Sequence, residues 1–259
     1  MRQAEWIDLA RAVSLGTARD MEILRERGGD ARIARGVGPD GESVVVKLWN
    51  RPGWRGLVRR WTRTNSARRE WRTLCRLHRA GLLVPRPLAY VARLGRPAEH
   101  TEGVVSADLG QCSDAVEHFK GLLHSGASDQ EADFVREVVR ATAVMVRLGL
   151  LDTDHRLPNF VVTPDGRPVR LDFELNVRTP WPRLWTRKYG LMLGTLLGSF
   201  VFAVQPDQDR AVAFAAALRR ELDPPRGVLR VSEARMREML RRQEREIGLR
   251  MEVDNPWKL

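Results

Sequence analysis

The stretch from Leu151 to Glu174 constrains this chain more than any other, because its acidic and amide residues stand at fixed distances around a turn. Two short apolar runs, Phe160 to Val162 and Val169 to Phe173, flank Pro164, Asp165 and Gly166. Proline presets one backbone dihedral and glycine permits positive φ, so the spacing predicts a β-hairpin. Asn159 lies six residues before Asp165 and Asp172 seven after it, which brings both to the open end of that hairpin. Asp154 stands five residues upstream of Asn159 on the entering loop. Hard oxygen donors of this kind suit Mg²⁺, which keeps several waters and is completed by substrate phosphates. A phosphoryl group held there is open to attack by a hydroxyl whose proton Asp154 accepts.

The rest of the chain can house such a site. Its 259 residues, 43% of them hydrophobic, suffice for one large domain or two lobes. Cys75 and Cys112 form neither a disulfide framework nor a metal-ligand spacing, which points to a reducing compartment. The first residues lack the basic-then-apolar order of a secretory signal, so cytoplasmic residence is expected. Tyr189 to Val204 is apolar but broken by glycines, Thr195 and Ser199, and reads as a buried helix rather than a membrane span. The net charge of +11 comes almost wholly from arginine, with lysine only at positions 47, 120, 188 and 258. That balance favours an anionic partner: nucleic acid, an acidic membrane surface or a phosphorylated substrate.

Along the chain, Trp6, Leu9 and Val13 are at helical spacing in an N-terminal arm. An antiparallel meander is predicted over Met21 to Glu26, Ala31 to Gly36 and Ser43 to Trp49, with breakers at Gly28-Gly29 and Gly38 to Gly41. In the third strand the two-residue period puts Val45 and Lys47 on one face and Val44, Val46 and Leu48 on the other. Lys47 either meets an anionic partner or discourages edge pairing as an edge-strand lysine. Residues 51–69 interleave arginines with Trp54 and Trp61 and read as a solvated or substrate-facing insertion, since no nucleic-acid-binding module's motif accompanies them. A helix from Asn65 or Ser66 to Gly81 carries Ala67, Trp71, Leu74 and Leu77 inward, with Glu70 at the border of that stripe as a candidate partner for Lys47. Two more strands, about Pro85 to Val91 and Ala98 to Val105, lead to a linker, Ser106 to Gly110. Helices dominate beyond it: Asp129 to Gly149, Tyr189 to Val204, Asp209 to Leu222 and Ser232 to Ile247. A loop bearing Trp181, Arg183, Trp185 and Arg187 precedes the second of these.

The order is therefore a glycine turn between strands, a strand lysine, a helix glutamate, a linker, a long helix, Asp-x₄-Asn and a further aspartate. Over roughly residues 20 to 250 this resembles the protein-kinase-like fold, and within it the lipopolysaccharide core heptose and Kdo kinases, which phosphorylate inner-core sugars at the cytoplasmic face of the inner membrane. The resemblance implies an α+β bilobal fold with a small antiparallel-sheet N-lobe carrying one main helix and a mostly helical C-lobe. Its domains would be an arm (1–20), an N-lobe (21–105) and a C-lobe (106–259). It implies that Gly28 and Gly29 cover the phosphates of ATP, that Lys47 binds the α- and β-phosphates, and that Glu70 orients Lys47. Asp154 becomes the catalytic base, Asn159 and Asp172 the Mg²⁺ ligands, Val45 a wall of the adenine pocket, and Val105, Ser106 and Ala107 its backbone partners. The implied acceptor is an anionic sugar or glycolipid, with peripheral contact at the inner membrane and no nucleic acid.

The chain departs from the kinase pattern in a shorter glycine turn, in Asp152 where a histidine is expected, and in Glu174 in place of the glycine of Asp-Phe-Gly. These departures, and the lack of an Ala-Pro-Glu sequence, argue against a phosphorylation-regulated protein kinase. Two other readings share much of the motif. A small-molecule phosphotransferase of the aminoglycoside or choline kinase type would use an acidic acceptor pocket, for which Asp129, Glu131 and Asp133 are candidates. A pseudokinase scaffold would keep the fold without turnover.

Overall fold

The computed structural model describes residues 2–27, 31–50, 66–92, 94, 102–205, 207–248 and 257. The glycine turn at Gly28 and Gly29, and the arginine- and tryptophan-rich residues 51–65, lie outside the described residues. The chain falls into two compact units: Met1–Gly110 with Asp172–Glu174, and Gln111–Leu171 with Leu175–Leu259.

The first unit is built on a five-stranded antiparallel sheet. Strands β1 (Met21–Arg27), β2 (Ala31–Val37), β3 (Ser43–Trp49), β4 (Pro87–Val91) and β5 (Glu102–Ala107) take the order β1-β2-β3-β5-β4. The strand β3 has the bounds and alternation expected of it, with Val44, Val46 and Leu48 buried on one face. Helix α1 (Arg2–Leu15) covers that face: Trp6, Ala10 and Val13, at i, i+4 and i+7, join Ala34, Ala89, Val91, Leu94 and Val105 in one apolar core. Helix α2 (Ser66–Arg79) packs on β3, β4 and β5. Its buried stripe is Ala67, Glu70, Thr73, Leu74 and Leu77, whereas Trp71, expected inside, is only half-buried. The large indole lies on the stripe's flank, and the small Thr73 takes the inner position.

The second unit is mainly helical. Helix α3 (Ala115–Ser125) is started by Asp114, whose side chain accepts from the amides of Val116 and Glu117, and α4 (Ser128–Arg147) follows it. Helices α5 (Thr186–Val204), α6 (Gln208–Leu222) and α7 (Arg226–Ile247) complete the bundle. From Tyr189 on α5 is largely buried, so its apolar run is a core helix, and no helix among the described residues is long and apolar enough to cross a membrane. The glycines that interrupt it form a stripe, Gly190, Gly194 and Gly198, pressed on Val231, Ser232, Arg235 and Met239 of α7. A Cβ at Gly190 would stand 2.5 Å from that of Val231, so side chains there would force the two helices apart. Phe200 of α5 stacks on Phe214 of α6 at 3.9 Å and meets Phe119 of α3 at 5.1 Å. Helix α7 starts six residues earlier than the sequence suggested. Pro224 and Pro225 follow the end of α6, and Pro225 caps the new helix, its carbonyl accepting the Val228 amide at 2.8 Å while its missing N–H costs no helical hydrogen bond.

Short strands carry the loops of interest. Strand β6 (Ser113–Asp114) pairs with β8 (Phe160–Val162), and β8 with β9 (Pro168–Arg170). The hairpin turn is closed by the Gly166 amide on Thr163 O at 2.8 Å, with Gly166 at φ 81°. Strand β7 (Leu150–Asp152) pairs with β10 (Asn176–Arg178). Gly149 makes the reversal from α4 into β7: its φ is 71°, and a Cβ would collide with the carbonyl of Thr179, whose amide bonds to Gly149 O at 2.8 Å.

Candidate active site

In the first unit, the alternation of β3 turns Lys47 away from the core beneath α1. Its Nζ lies 3.0 Å from Glu70 Oε2 and 2.9 Å from Asp172 Oδ1. Glu70 is buried on α2, so a carboxylate there needs such a partner. Burial alone would lower the pKa of the lysine, but Glu70, Asp172 and Glu174 outweigh it and hold the ammonium above its ordinary value. Burial pushes the Glu70 carboxyl up, with Lys47 pulling against it. The ammonium also sits 5.0 Å above the Trp49 ring.

The run Val169 to Phe173 does not continue as one strand. Strand β9 ends at Arg170, and Asp172 takes φ 57°, in the left-handed region that non-glycine residues seldom occupy. Three contacts hold the segment in that state: Lys47 on Asp172, Trp49 Nε1 donating to Glu174 Oε2 at 2.8 Å, and Arg69 donating to Glu174 O at 2.8 Å. Val45 is half-buried on the same face as Lys47 and stands opposite Ser106 in the β3–β5 register. Val105 faces the other way, into the core with Val46. Ser106 and Ala107, read from sequence as the start of a linker, are the last residues of β5, and the Ala107 amide already donates to Arg86 O at 2.8 Å.

In the second unit, the loop from β7 to β8 carries Asp154 and Asn159. The Asn159 Nδ2 group donates to Asp154 O at 2.8 Å and to Asp154 Oδ2 at 3.0 Å. Its amide oxygen is thereby left pointing away from Asp154, a hard donor of the type Mg²⁺ takes. Asp154 Oδ1 is 3.2 Å from Arg156 Nε, and the aspartate side chain remains 34% exposed, open to an incoming hydroxyl. The loop is anchored from below by the Leu157 amide, which donates to Ser199 Oγ of α5 at 2.8 Å. Asn159 O accepts the Leu171 amide at 2.8 Å, so the pair expected at the hairpin mouth is Asn159 opposite Leu171, with Asp172 the next residue.

Beneath this loop lies a group that the sequence reading missed. Arg170 and Asp152 are both fully buried and paired at 3.0 Å. Arg170 also donates to Asp154 O at 3.2 Å, to Asn159 O at 3.2 Å and through Nε to His155 Nδ1 at 3.3 Å. Asp152 Oδ1 in turn accepts the Asp154 amide at 2.9 Å. Both backbone polar groups of Asp154 are therefore held by this one ion pair. Asp152, noted above only as a departure from the kinase pattern, is half of it. The available signal was Arg170 itself, a charge inside an otherwise apolar run.

The chain can be set beside known proteins on this basis. A search of curated proteins gave no match. Among solved structures, WaaP in complex with acyl carrier protein aligns over 87% of this chain and 88% of its own, at 23% identity and a TM-score of 0.60, and so shares the fold. WbdD with the kinase inhibitor LY294002 aligns at 14% identity over 86% of this chain and 47% of its own, with a TM-score of 0.48. The sequence profile of the lipopolysaccharide kinase (Kdo/WaaP) family matches residues 17–188, well over half of the sequence, and the chain belongs to that family.

Proposed function

We propose that this kinase transfers the γ-phosphate of ATP, in the presence of Mg²⁺, to a hydroxyl of a lipopolysaccharide inner-core sugar, heptose or Kdo. The observation that carries the reading is Lys47, a charged ammonium bridging the buried Glu70 and the more exposed Asp172. Glu70 fixes the lysine in place, and its ammonium can then turn from Asp172 to nucleotide phosphate oxygens. Asp172 and the Asn159 amide oxygen would hold Mg²⁺, which when bound neutralises phosphate charge. Asp154 is oriented by the Asn159 amide and accepts the proton of the acceptor hydroxyl as it attacks. Val45 would wall the adenine and the backbone near Val105 to Ala107 would border it, with Gly28 and Gly29 over the phosphates. The excess of 11 positive charges suits a phosphorylated glycolipid better than a cationic amino sugar. ATP supply places the reaction in the cytoplasm, at the inner face of the membrane that carries the acceptor.

The test is ADP release and phosphate incorporation with purified inner-core glycolipid, Mg²⁺ and ATP. Asp154→Ala is expected to lower turnover by ~10²-fold or more, and Asp172→Ala to abolish Mg²⁺-dependent turnover. Near wild-type rates in both variants overturn the assignment of these residues. Faster phosphorylation of aminoglycosides or amino alcohols overturns the acceptor class. ATP binding without ADP release for any acceptor marks a scaffold.

A further inference from the structure

The tryptophan-rich loop before α5 has no part in the chemistry above. Its residues do not fill the core: Trp181 is 66% exposed, Leu184 76% and Trp185 43%. The segment Pro182–Leu184 forms a single tight turn, closed by the Leu184 amide on Trp181 O at 3.1 Å and the Trp185 amide on Pro182 O at 3.0 Å. In a turn with three residues per turn, positions i and i+3 eclipse, so Trp181 and Leu184 lie on one side, and the exposed Trp185 follows directly in the chain. The other large exposed apolar side chains among the described residues are Leu175, beside this segment in the chain, and Leu15, Ile23, Leu24 and Val37 of the first unit.

Cations flank this turn in the chain. From Leu175 to Gly190 the sequence holds Arg178, Arg183, Arg187 and Lys188 and no acidic residue. Arg178, Arg183 and Arg187 are exposed, and Lys188 is half-buried. A Cβ at Gly227 of α7 would stand 3.1 Å from Thr186 Cγ2 of α5, which brings the exposed Arg226 near the same turn. The acidic side chain paired here is Asp223, 3.2 Å from Arg183. Tryptophan, with an apolar ring and one N–H, favours the boundary between headgroups and hydrocarbon, and neighbouring cations are drawn to anionic lipid.

We infer that the turn Trp181–Trp185, flanked by Arg178, Arg183, Arg187, Lys188 and Arg226, is a docking surface for an anionic phospholipid bilayer. It inserts Trp181, Leu184 and Trp185 at headgroup depth while the cations contact lipid phosphates. For its partner the inference rests on the proposed glycolipid acceptor, which resides in such a membrane. Its physical basis, exposed apolar area flanked by cations, is independent of turnover.

The experiment is co-sedimentation of the full chain with vesicles of phosphatidylglycerol and phosphatidylcholine, and with phosphatidylcholine alone. The wild type is expected to bind the anionic vesicles in a salt-sensitive way and the neutral ones far less. The triple variant Trp181→Ser, Leu184→Ser, Trp185→Ser should bind about 10-fold more weakly or worse. Arg187→Glu with Lys188→Glu should lose about 10-fold or more at low salt. Circular dichroism confirms that each variant is folded. Equal binding by wild type and triple variant overturns the inference, as does absence of vesicle binding by the wild type. Self-association abolished by the triple variant, without vesicle binding, overturns it in favour of a second copy of the chain. Vesicle binding that persists when no acceptor is phosphorylated leaves the surface standing and sinks the kinase reading alone. Phosphorylation of detergent-dispersed acceptor without vesicle binding does the reverse.

Discussion

Lys47 and Arg170 each meet carboxylates below the protein surface, yet their surroundings differ. The Lys47 side chain is 16% exposed and one partner, Asp172, 40%, whereas Arg170 and Asp152 are wholly enclosed. Lysine is a compact charge on a flexible stem, able to exchange one oxygen for another without rebuilding its neighbours. Arg170 is a planar fork with every prong engaged: Asp152, His155 and the carbonyls of Asp154 and Asn159. The first arrangement is suited to receiving a ligand, and the second to holding the loop of the proposed base still. An ion pair that must exchange partners keeps one side near water, while one that only positions a backbone can be sealed.

Removing one partner from each pair separates the two designs. Arg170→Met leaves the buried Asp152 carboxylate without its counter-charge, and breaking a buried pair in this way costs about 3–5 kcal/mol. Urea denaturation should show a loss of that size. A loss below about 1 kcal/mol would mean that water reaches Asp152, and the contrast drawn here would fail. Lys47→Met is expected to do the opposite, lowering turnover by ~10²-fold, about 2.7 kcal/mol of barrier, with a smaller loss of stability than Arg170→Met. Glu70, already pushed towards its neutral form by burial, can take up a proton, and Asp172 can turn to water. If Lys47→Met unfolds the protein as readily as Arg170→Met, the lysine is structural. Ser199→Ala is a milder probe of the same loop, because it leaves the buried Leu157 amide without an acceptor at a cost of about 1–3 kcal/mol. Its measurement is the thermal midpoint of the purified variant.

The contrast also explains what could be read from the sequence. Lys47, Glu70, Asp154, Asn159 and Asp172 were legible because each combines a revealing residue type with a revealing position. Lys47 is a lone lysine in a valine strand, and Asp154 and Asn159 stand five apart before a hairpin with a Pro-Asp-Gly turn. The bounds of β3 and the turn of the hairpin followed from local rules of alternation and φ. The Arg170 group was not legible, since the partners of Arg170 come from β7 and the loop after it, 11 to 18 residues away, and only the packed unit brings them together. Residues Leu171 to Phe173 misled for the same reason: apolar composition predicts a strand, but Lys47 lies 125 positions from Asp172 and helps hold it in the left-handed region. The glycines of α5 signalled only that a membrane span was wrong, and the close approach of α7 that requires them appears only in three dimensions.

The smallest effect tests how tightly the Arg170 group is sealed. His155 is fully buried, and its ring nitrogens have assigned roles. Nδ1 accepts from Arg170 Nε, which leaves Nε2–H to donate to Thr142 Oγ1 at 2.9 Å, since the threonine hydroxyl proton is already given to Val138 O. The ring is thus held neutral, and burial first, then the Arg170 charge, keeps its pKa well below the ordinary histidine value. A histidine of the unfolded chain takes up a proton near pH 6.5 and the folded His155 does not, so below that pH the unfolded state binds more protons. The stabilisation is present above about pH 6.5 and is lost as the pH falls towards the depressed folded value, at up to about 1.4 kcal/mol per pH unit. In His155→Gln the amide can accept from Arg170 and donate to Thr142 without titrating. Urea midpoints between about pH 7.5 and 5.5 should therefore fall more steeply for wild type than for the variant. Parallel slopes would show that the folded ring does take up a proton, which the fork of Arg170 permits only if it opens.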